Sequence, residues 1–357
     1  MIRRSALMIL TTLLALMLCV NLAENANAQN VQAEPAENNI EKFDYHDFAQ
    51  IPILHEGRLK PLGSYAKIQS RNLVLGDLSA VEWLAITLFR LQEAYTLKIF
   101  QVNDPTVRHI LKLPDQDNNL YSIVDLDLKL AETESMLPDL IQRPAQKRST
   151  AQNKLLALHD TAAGYKNLLD SQLAFMPLTV TYPSFITDEY GNTPLSYYTL
   201  RTYKQQLKKA LGKITSYKDF NPQQPDLDQY TAEELAVILT TYSIDQIEKL
   251  GTYSTVFKIL PRQESGEGQR WLSPWQTITQ NTENNTNSEY LEIWIKIINS
   301  HRHGDIKGFT TATQNAVQHV QHALTTDQKQ DLKLETLYHR LQPSMLAAAL
   351  YVLSLLC

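Results

Sequence analysis

The chain has 357 residues, 43% of them hydrophobic and 20% charged, with a net charge of −5. That is enough apolar material for a sizeable core, over a length that suits two domains or one large irregular one. The two signs of charge are interspersed, which excludes both a basic nucleic-acid stripe and a disordered acidic tail. Only 11 glycines stand against abundant Leu, Ala, Gln and Lys, so the expected fold class is mainly α.

Residues 1–28 read as a secretory signal peptide. "MIRR" supplies positive charge, "SALMILTTLLALMLCV" an apolar core, and Ala26-x-Ala28 a cleavage pattern that leaves Gln29 first in the mature chain. Cys19 does not make a lipoprotein site, because Leu18 precedes it where a small residue is wanted; an uncleaved anchor is the alternative reading. Residues 29–42 are polar and read as a linker. The exported body, 43–340, contains no cysteine, since the two of the chain are Cys19 and Cys357. Disulfide, thiolate and Cys-x-x-Cys chemistry are therefore excluded from it.

The body opens on "IPILHEGRLKPLGSYAKI", residues 51–68. Pro52 suits a strand start, Gly57 can turn the chain after Glu56, and Pro61 fits the first turn of a following helix. A strand-turn-helix is expected, with Arg58 and Lys60 flanking the turn. "LSAVEWLAITLFRLQEAYTLKIF" predicts a single strong helix with a Ser79/Glu82 capping box and Val81, Leu84, Leu88 and Leu91 on one face. "DPTVRHILKLP" predicts a short helix bounded by prolines, and "SIVDLDLKLAETESML" another. A long helix is expected from Ser149, with Leu155, Leu158, Tyr165, Leu168 and Leu169 in phase.

The β-branched alternation and Tyr-Gly-Asn turn of "PLTVTYPSFITDEYGNTP", 177–194, predict the small β-hairpin of an otherwise helical body. Helices follow at "LSYYTLRTYKQQLKKALGKI" and at "TAEELAVILTTYSIDQIEKLG", the latter with a Thr231/Glu234 capping box and a stop at Gly251. "TVFKILPRQESGEGQRWLSPW" is strand-like around a polar loop, and helices are expected near 288–300, 310–324 and 328–341. The last stretch, 341–357, includes "SMLAAALYVLSLLC", which is apolar without a break but shorter than the roughly 20 residues of a bilayer span. A final buried helix is one reading. An apolar surface on every side favours the other, the start of a transmembrane helix cut short.

Residues 51–66 and 335–343 together carry a family resemblance. "LPVxxxGRxKPLxTxA" is matched here by Ile51, Pro52, Ile53, Gly57, Arg58, Lys60, Pro61, Leu62 and Ala66. The pattern "E-x-x-Y-N-x-x-x-P-F", at the start of a first membrane helix, is matched by Glu335, Tyr338 and Pro343. His339 stands at the Asn position and Ser344 at the Phe position. In this the chain resembles the N-terminal periplasmic portion of cytochrome c biogenesis proteins of the CcsA type, the system II proteins that include ResB fusions; "VEWLAITLF", "YSIVDL" and "RWLSPW" are weaker echoes. The resemblance implies a location at the bacterial inner membrane with the bulk of the chain in the periplasm. It also implies a supporting part in haem delivery and attachment to apocytochrome c, with a ResB-like membrane partner. The family's tryptophan-rich haem segment is absent, so haem is expected to bind outside this segment and no catalytic residue carries over.

Among side chains that could hold a cofactor, His55 and His339 are the haem candidates. His319 and His322 share a helix face at metal-ligand spacing, and His301 and His303 stand beside Asp305. For both pairs an exposed helix face or a helix C-terminus is the expected setting, and no metal site is expected. The chain has no G-x-S-x-G elbow, no HExxH and no glycine-rich phosphate loop. An exported helical adaptor or scaffold with no haem role is the main alternative function, and a periplasmic hydrolase with a dispersed site is a further one.

Overall fold

A computed structural model describes residues 42–341, apart from 179, 216, 218, 219, 221–226, 252, 253, 264–268 and 280–284. The signal segment, nearly all of the linker and residues 342–357, with Pro343 and the apolar run, lie outside the described residues. Among the described residues no helix is long and apolar enough to cross a membrane. Among the described residues helix dominates, with three two-stranded antiparallel sheets. The expected body divides into two units, one built from Lys42–Gln172 and the chain from Ser254 onward, the other from Leu173–Tyr253.

The first unit begins with α1 (His46–Gln50), β1 (Pro52–His55), β2 (Arg58–Pro61) and α2 (Leu62–Ser70). The strand-turn-helix expected here is present. Glu56 and Gly57 both take positive φ, 50° and 76°, which makes the two-residue turn whose twist suits a hairpin. Pro61 sits one residue earlier than expected, at the N-cap of α2, because it is still paired across the hairpin with Pro52.

Next come α3 (Ala80–Phe89) and α4 (Leu91–Thr96), where a single helix was expected. The Ser79 hydroxyl caps α3 by accepting from the Glu82 N–H at 3.1 Å. The chain breaks at Arg90 (φ −123°, ψ 67°), where the all-round burial of α3 ends and Arg90 turns to an exposed pairing with Glu93. Short strands β3 (Phe100–Gln101) and β4 (Leu120–Tyr121) flank α5 (Pro105–Ile110). The Asp104 carboxylate caps α5 by accepting from the N–H groups of Thr106 and Val107. Then follow α6 (Ile123–Thr133), α7 (Leu137–Gln142) and the long α8 (Thr150–Asp170), opened by a Ser149/Gln152 capping box.

The second unit holds α9 (Ser184–Tyr190), α10 (Tyr197–Leu200), α11 (Lys204–Leu211) and α12 (Ala232–Gly251). Here the sequence expectation fails. Within 177–194 the helix α9 stands in place of the predicted hairpin, and among the described residues strand-like pairing there is a single bridge between Pro177 and Ser196. Punctuation outweighed the β-branched alternation. Pro183 leads in with extended backbone, and the Glu233 carboxylate accepts from the Ser184 N–H (2.9 and 3.1 Å) and hydroxyl (2.8 Å). Gly191 then ends the helix at φ 64°. A carboxylate at a helix N-terminus satisfies otherwise unpaired N–H groups and favours the helix dipole. The Thr231/Glu234 capping box of α12 is reciprocal, as expected, at 3.2 and 2.9 Å. A small core forms on Ile214, Tyr230, Val237 and Ile238.

Back in the first unit, β5 (Leu260–Gln263) and β6 (Gln269–Leu272) form a hairpin where the sequence looked strand-like. It is followed by α13 (Pro274–Thr279), α14 (Asn285–Arg302), α15 (Ile306–Ala323) and α16 (Thr326–Leu341). Aromatic side chains from both ends of the sequence make this unit's core. Phe48 of α1, Phe89 of α3, Trp294 of α14 and Phe309 of α15 are fully buried, with ring centroids 5.6–5.9 Å apart for the Phe48–Phe89, Phe89–Trp294 and Phe48–Phe309 pairs. Each such burial contributes about 1.5–3 kcal/mol. The Trp294 indole N–H donates to the fully buried Gln172 carboxamide at 2.7 Å. The last helix, α16, lies against β2 and α2, so the two ends of this unit meet at the first hairpin.

Candidate functional site

The β1–β2 hairpin divides its residues between core and surface. Ile51, Ile53, Leu62 and Ala66 are completely buried, and Pro52 and Pro61 are buried with them. The Ile51 carbonyl accepts from the Leu62 N–H at 2.9 Å, which ties the strand to the start of α2. Gly57 and Arg58 are exposed and Lys60 is half-buried. The apolar members of the segment therefore anchor it, while the turn and its two cations face outward.

β1 is also paired on its other side. The Leu54 N–H donates to the Lys258 carbonyl at 2.9 Å, so the extended chain before β5 runs antiparallel beside it. Between that chain, the hairpin turn and α8 lies a half-open cleft of about 340 Å³. His55, Glu56 and Gly57 form one wall, Thr255, Val256 and Lys258 another, with Gln69 of α2 and Gly164 and Asn167 of α8 below. Beyond its own helix backbone, Gly164 has no heavy atom within 4 Å of where a Cβ would stand, and the missing side chain leaves this part of the cleft open.

His55 is thus brought into a cleft, but its ring is partly engaged. It meets Tyr65 edge-on at 5.1 Å, and Nε2 lies 3.8 Å from the Glu56 carboxylate. Burial pushes its pKa down, with Glu56 opposing and Lys60 adding to the effect. Arg58, Lys60 and Lys258 form no ion pair with another described residue. The cleft surface is polar and apolar in nearly equal parts, with Leu54 and Val256 among its walls.

At the other end of the unit, α16 carries Glu335, half-buried, and Tyr338, 59% exposed. His339 lies within α16 but its side chain, like Pro343, is outside the described residues. Arg58 and Lys60 are on β2, the strand that α16 packs against, so the two sequence motifs are neighbours.

His301 overturns the expectation of an exposed helix end. It is 1% exposed in the last turn of α14, stacked on Phe43 at 4.6 Å and flanked by Phe89 and Phe309 at 5.3 and 5.5 Å. Its Nε2 meets the Tyr45 hydroxyl at 3.1 Å, while Nδ1 is buried with no hydrogen-bond partner. Burial, reinforced by Arg90, pushes its pKa down to about 4. The signal that could have found this burial lies in the aromatic residues around 43–48 and 309, far from it in sequence.

The other histidines remain apart. His303 is exposed and hydrogen-bonds the Asn299 carbonyl at 2.7 Å, and Asp305 is occupied in capping α15 through the Gly308 N–H at 2.8 Å. His319 stacks on Tyr290 at 5.3 Å, and His322 is exposed in the last turn of α15. Among the described residues no group of three or more His, Cys, Asp or Glu is placed to hold a metal ion. Sequence reasoning missed Gln69, Gly164, Asn167 and Lys258 as companions of His55; a glycine in the middle of a long helix was the one available hint. No family model and no curated protein matches the chain.

Proposed function

We propose that this chain is the periplasmic portion of a system II cytochrome c biogenesis protein, held at the bacterial inner membrane and supporting haem delivery and attachment to apocytochrome c. The observation that carries the reading is the adjacency of α16 to β2 and α2. The two segments on which the family resemblance rests, 51–66 and 335–343, are separated by most of the mature chain, yet α16, which carries Glu335 and Tyr338, lies beside β2 and α2. A shared seat explains why both patterns would be kept together. The role of this body is structural: it positions the membrane core, contacts a ResB-like partner or presents apocytochrome. Haem is handled outside the described residues, in keeping with the enclosed ring of His301.

A second reading, an exported helical adaptor with no haem role, draws support from the exposed apolar side chains of α16. Removing the chain from cells separates the two. Loss of covalently haem-stained c-type cytochromes with b-type cytochromes retained is expected, and normal c-type cytochromes would refute the haem reading.

A further inference from the structure

α16 has two different faces. Gln328, Leu332 and Glu335, spaced four and three residues apart, are half-buried on the side toward the body. Leu334, Leu337 and Tyr338 share another side and are 63%, 49% and 59% exposed. Three large apolar or amphipathic side chains at i, i+3 and i+4 make a continuous stripe, which a helix facing only water rarely keeps. Exposed Lys333 borders the stripe, exposed Asp331 and Asp327 lie on the same side of the helix one and two turns earlier, and Glu335 is half-buried toward the body. The element that α16 packs against, β2, adds the cations Arg58 and Lys60.

We infer that the Leu334–Leu337–Tyr338 face of α16 rests on the surface of a phospholipid bilayer. The inference rests on the membrane attachment in the proposed function and names the surface that α16 meets. Residues 345–356, "MLAAALYVLSLL", hold no charged side chain and begin seven positions after Tyr338. Seven residues reach at most ~25 Å even fully extended. With 345–356 in hydrocarbon, the stripe cannot stand farther from it than the depth of the headgroup layer and the water beside it. A helix lying in that layer puts its apolar stripe down, its tyrosine at the boundary and its lysine toward phosphate. The apolar stripe of α16, and the cations Arg58 and Lys60 on the strand it packs against, match this arrangement.

The test uses the full chain with Cys19→Ser and Cys357→Ser, carrying one of Leu334→Cys, Leu337→Cys or, on the opposite side of the helix, Thr336→Cys. Each is labelled with an environment-sensitive fluorophore and reconstituted into phosphatidylethanolamine–phosphatidylglycerol vesicles containing shallow doxyl lipids. Positions 334 and 337 are expected to be quenched several-fold more than 336. Equal quenching at all three overturns the inference. So does a blue-shifted but unquenched signal at 334 and 337, which would mean that protein, a second copy or the chain's own apolar segment, covers the stripe. A chain that does not join the vesicles overturns it as well. The cytochrome readout is independent of all these outcomes, so the haem reading stands or falls separately.

Discussion

Acidification should weaken the unit that contains His301, and the effect can be sized. In the unfolded chain an imidazole takes up a proton near pH 6.5, whereas in the folded state burial holds the His301 pKa down at about 4. The folded state therefore binds fewer protons than the unfolded state between these values. Stability is full above pH 6.5, falls as pH drops toward 4, and is level below that. With the two values this far apart, the loss by pH 5 reaches about 2 kcal/mol relative to pH 7. The ring is 1% exposed, and solvent screening does not reduce the figure much. Asp170, in the same unit, works in the opposite sense over an overlapping range, so the informative quantity is the difference between wild type and His301→Leu. Urea unfolding followed by tryptophan fluorescence reports this unit alone, because Trp83, Trp271, Trp275 and Trp294 all lie in it. Wild type should lose about 2 kcal/mol more than the variant between pH 7 and pH 5. Parallel pH profiles for the two proteins would refute the enclosed, uncharged imidazole.

Two further substitutions follow from the same unit. Burial pushes the Asp170 carboxyl up to about 6, with Asp127 adding to the rise and Lys166 opposing it. The folded state thus holds an extra proton between pH 4 and 6 and loses stability as pH rises through that window, so Asp170→Asn should stabilise the protein at pH 7 by about 2–3 kcal/mol and leave it almost unchanged at pH 4; an unchanged urea midpoint at pH 7 would contradict this. Beyond its own helix backbone, Gly164→Ala meets no heavy atom within 4 Å, and alanine is favoured over glycine inside a helix by about 1 kcal/mol, so the urea midpoint should rise. A fall would mean that the floor of the cleft is not open.

What was legible in the sequence was local. Thr231 with Glu234, Ser149 opening α8 and Asp104 before Pro105 announce helix starts through groups three residues apart, and Glu56-Gly57 announces a turn through backbone freedom alone. What was hidden was set by partners distant in the chain. The helix at 184–190 depends on Glu233, some fifty residues on, for its N-terminal hydrogen bonds, and without that partner the β-branched pattern pointed to strands. His301 reads as a solvated helix end until Phe43, Phe89 and Phe309 close around it. The cleft beside His55 needs α8 and the chain at 255–258, neither of which shares a motif with the hairpin. The meeting of α16 with β2 joins two recognisable segments whose proximity no spacing rule could supply.

The central proposal is that this body, with its first hairpin seated beside α16, supports haem attachment, and the outward cations of that hairpin are its most accessible point of contact for a partner. Its most direct measurement is the ratio of covalently bound haem c to haem b in membranes of cells whose only copy of the chain carries Arg58→Glu and Lys60→Glu. Arg58 is exposed, Lys60 is half-buried, and neither forms an ion pair with another described residue, so the protein should accumulate normally. The account predicts a fall in that ratio of at least several-fold with haem b unchanged. A wild-type ratio at normal protein levels would contradict it.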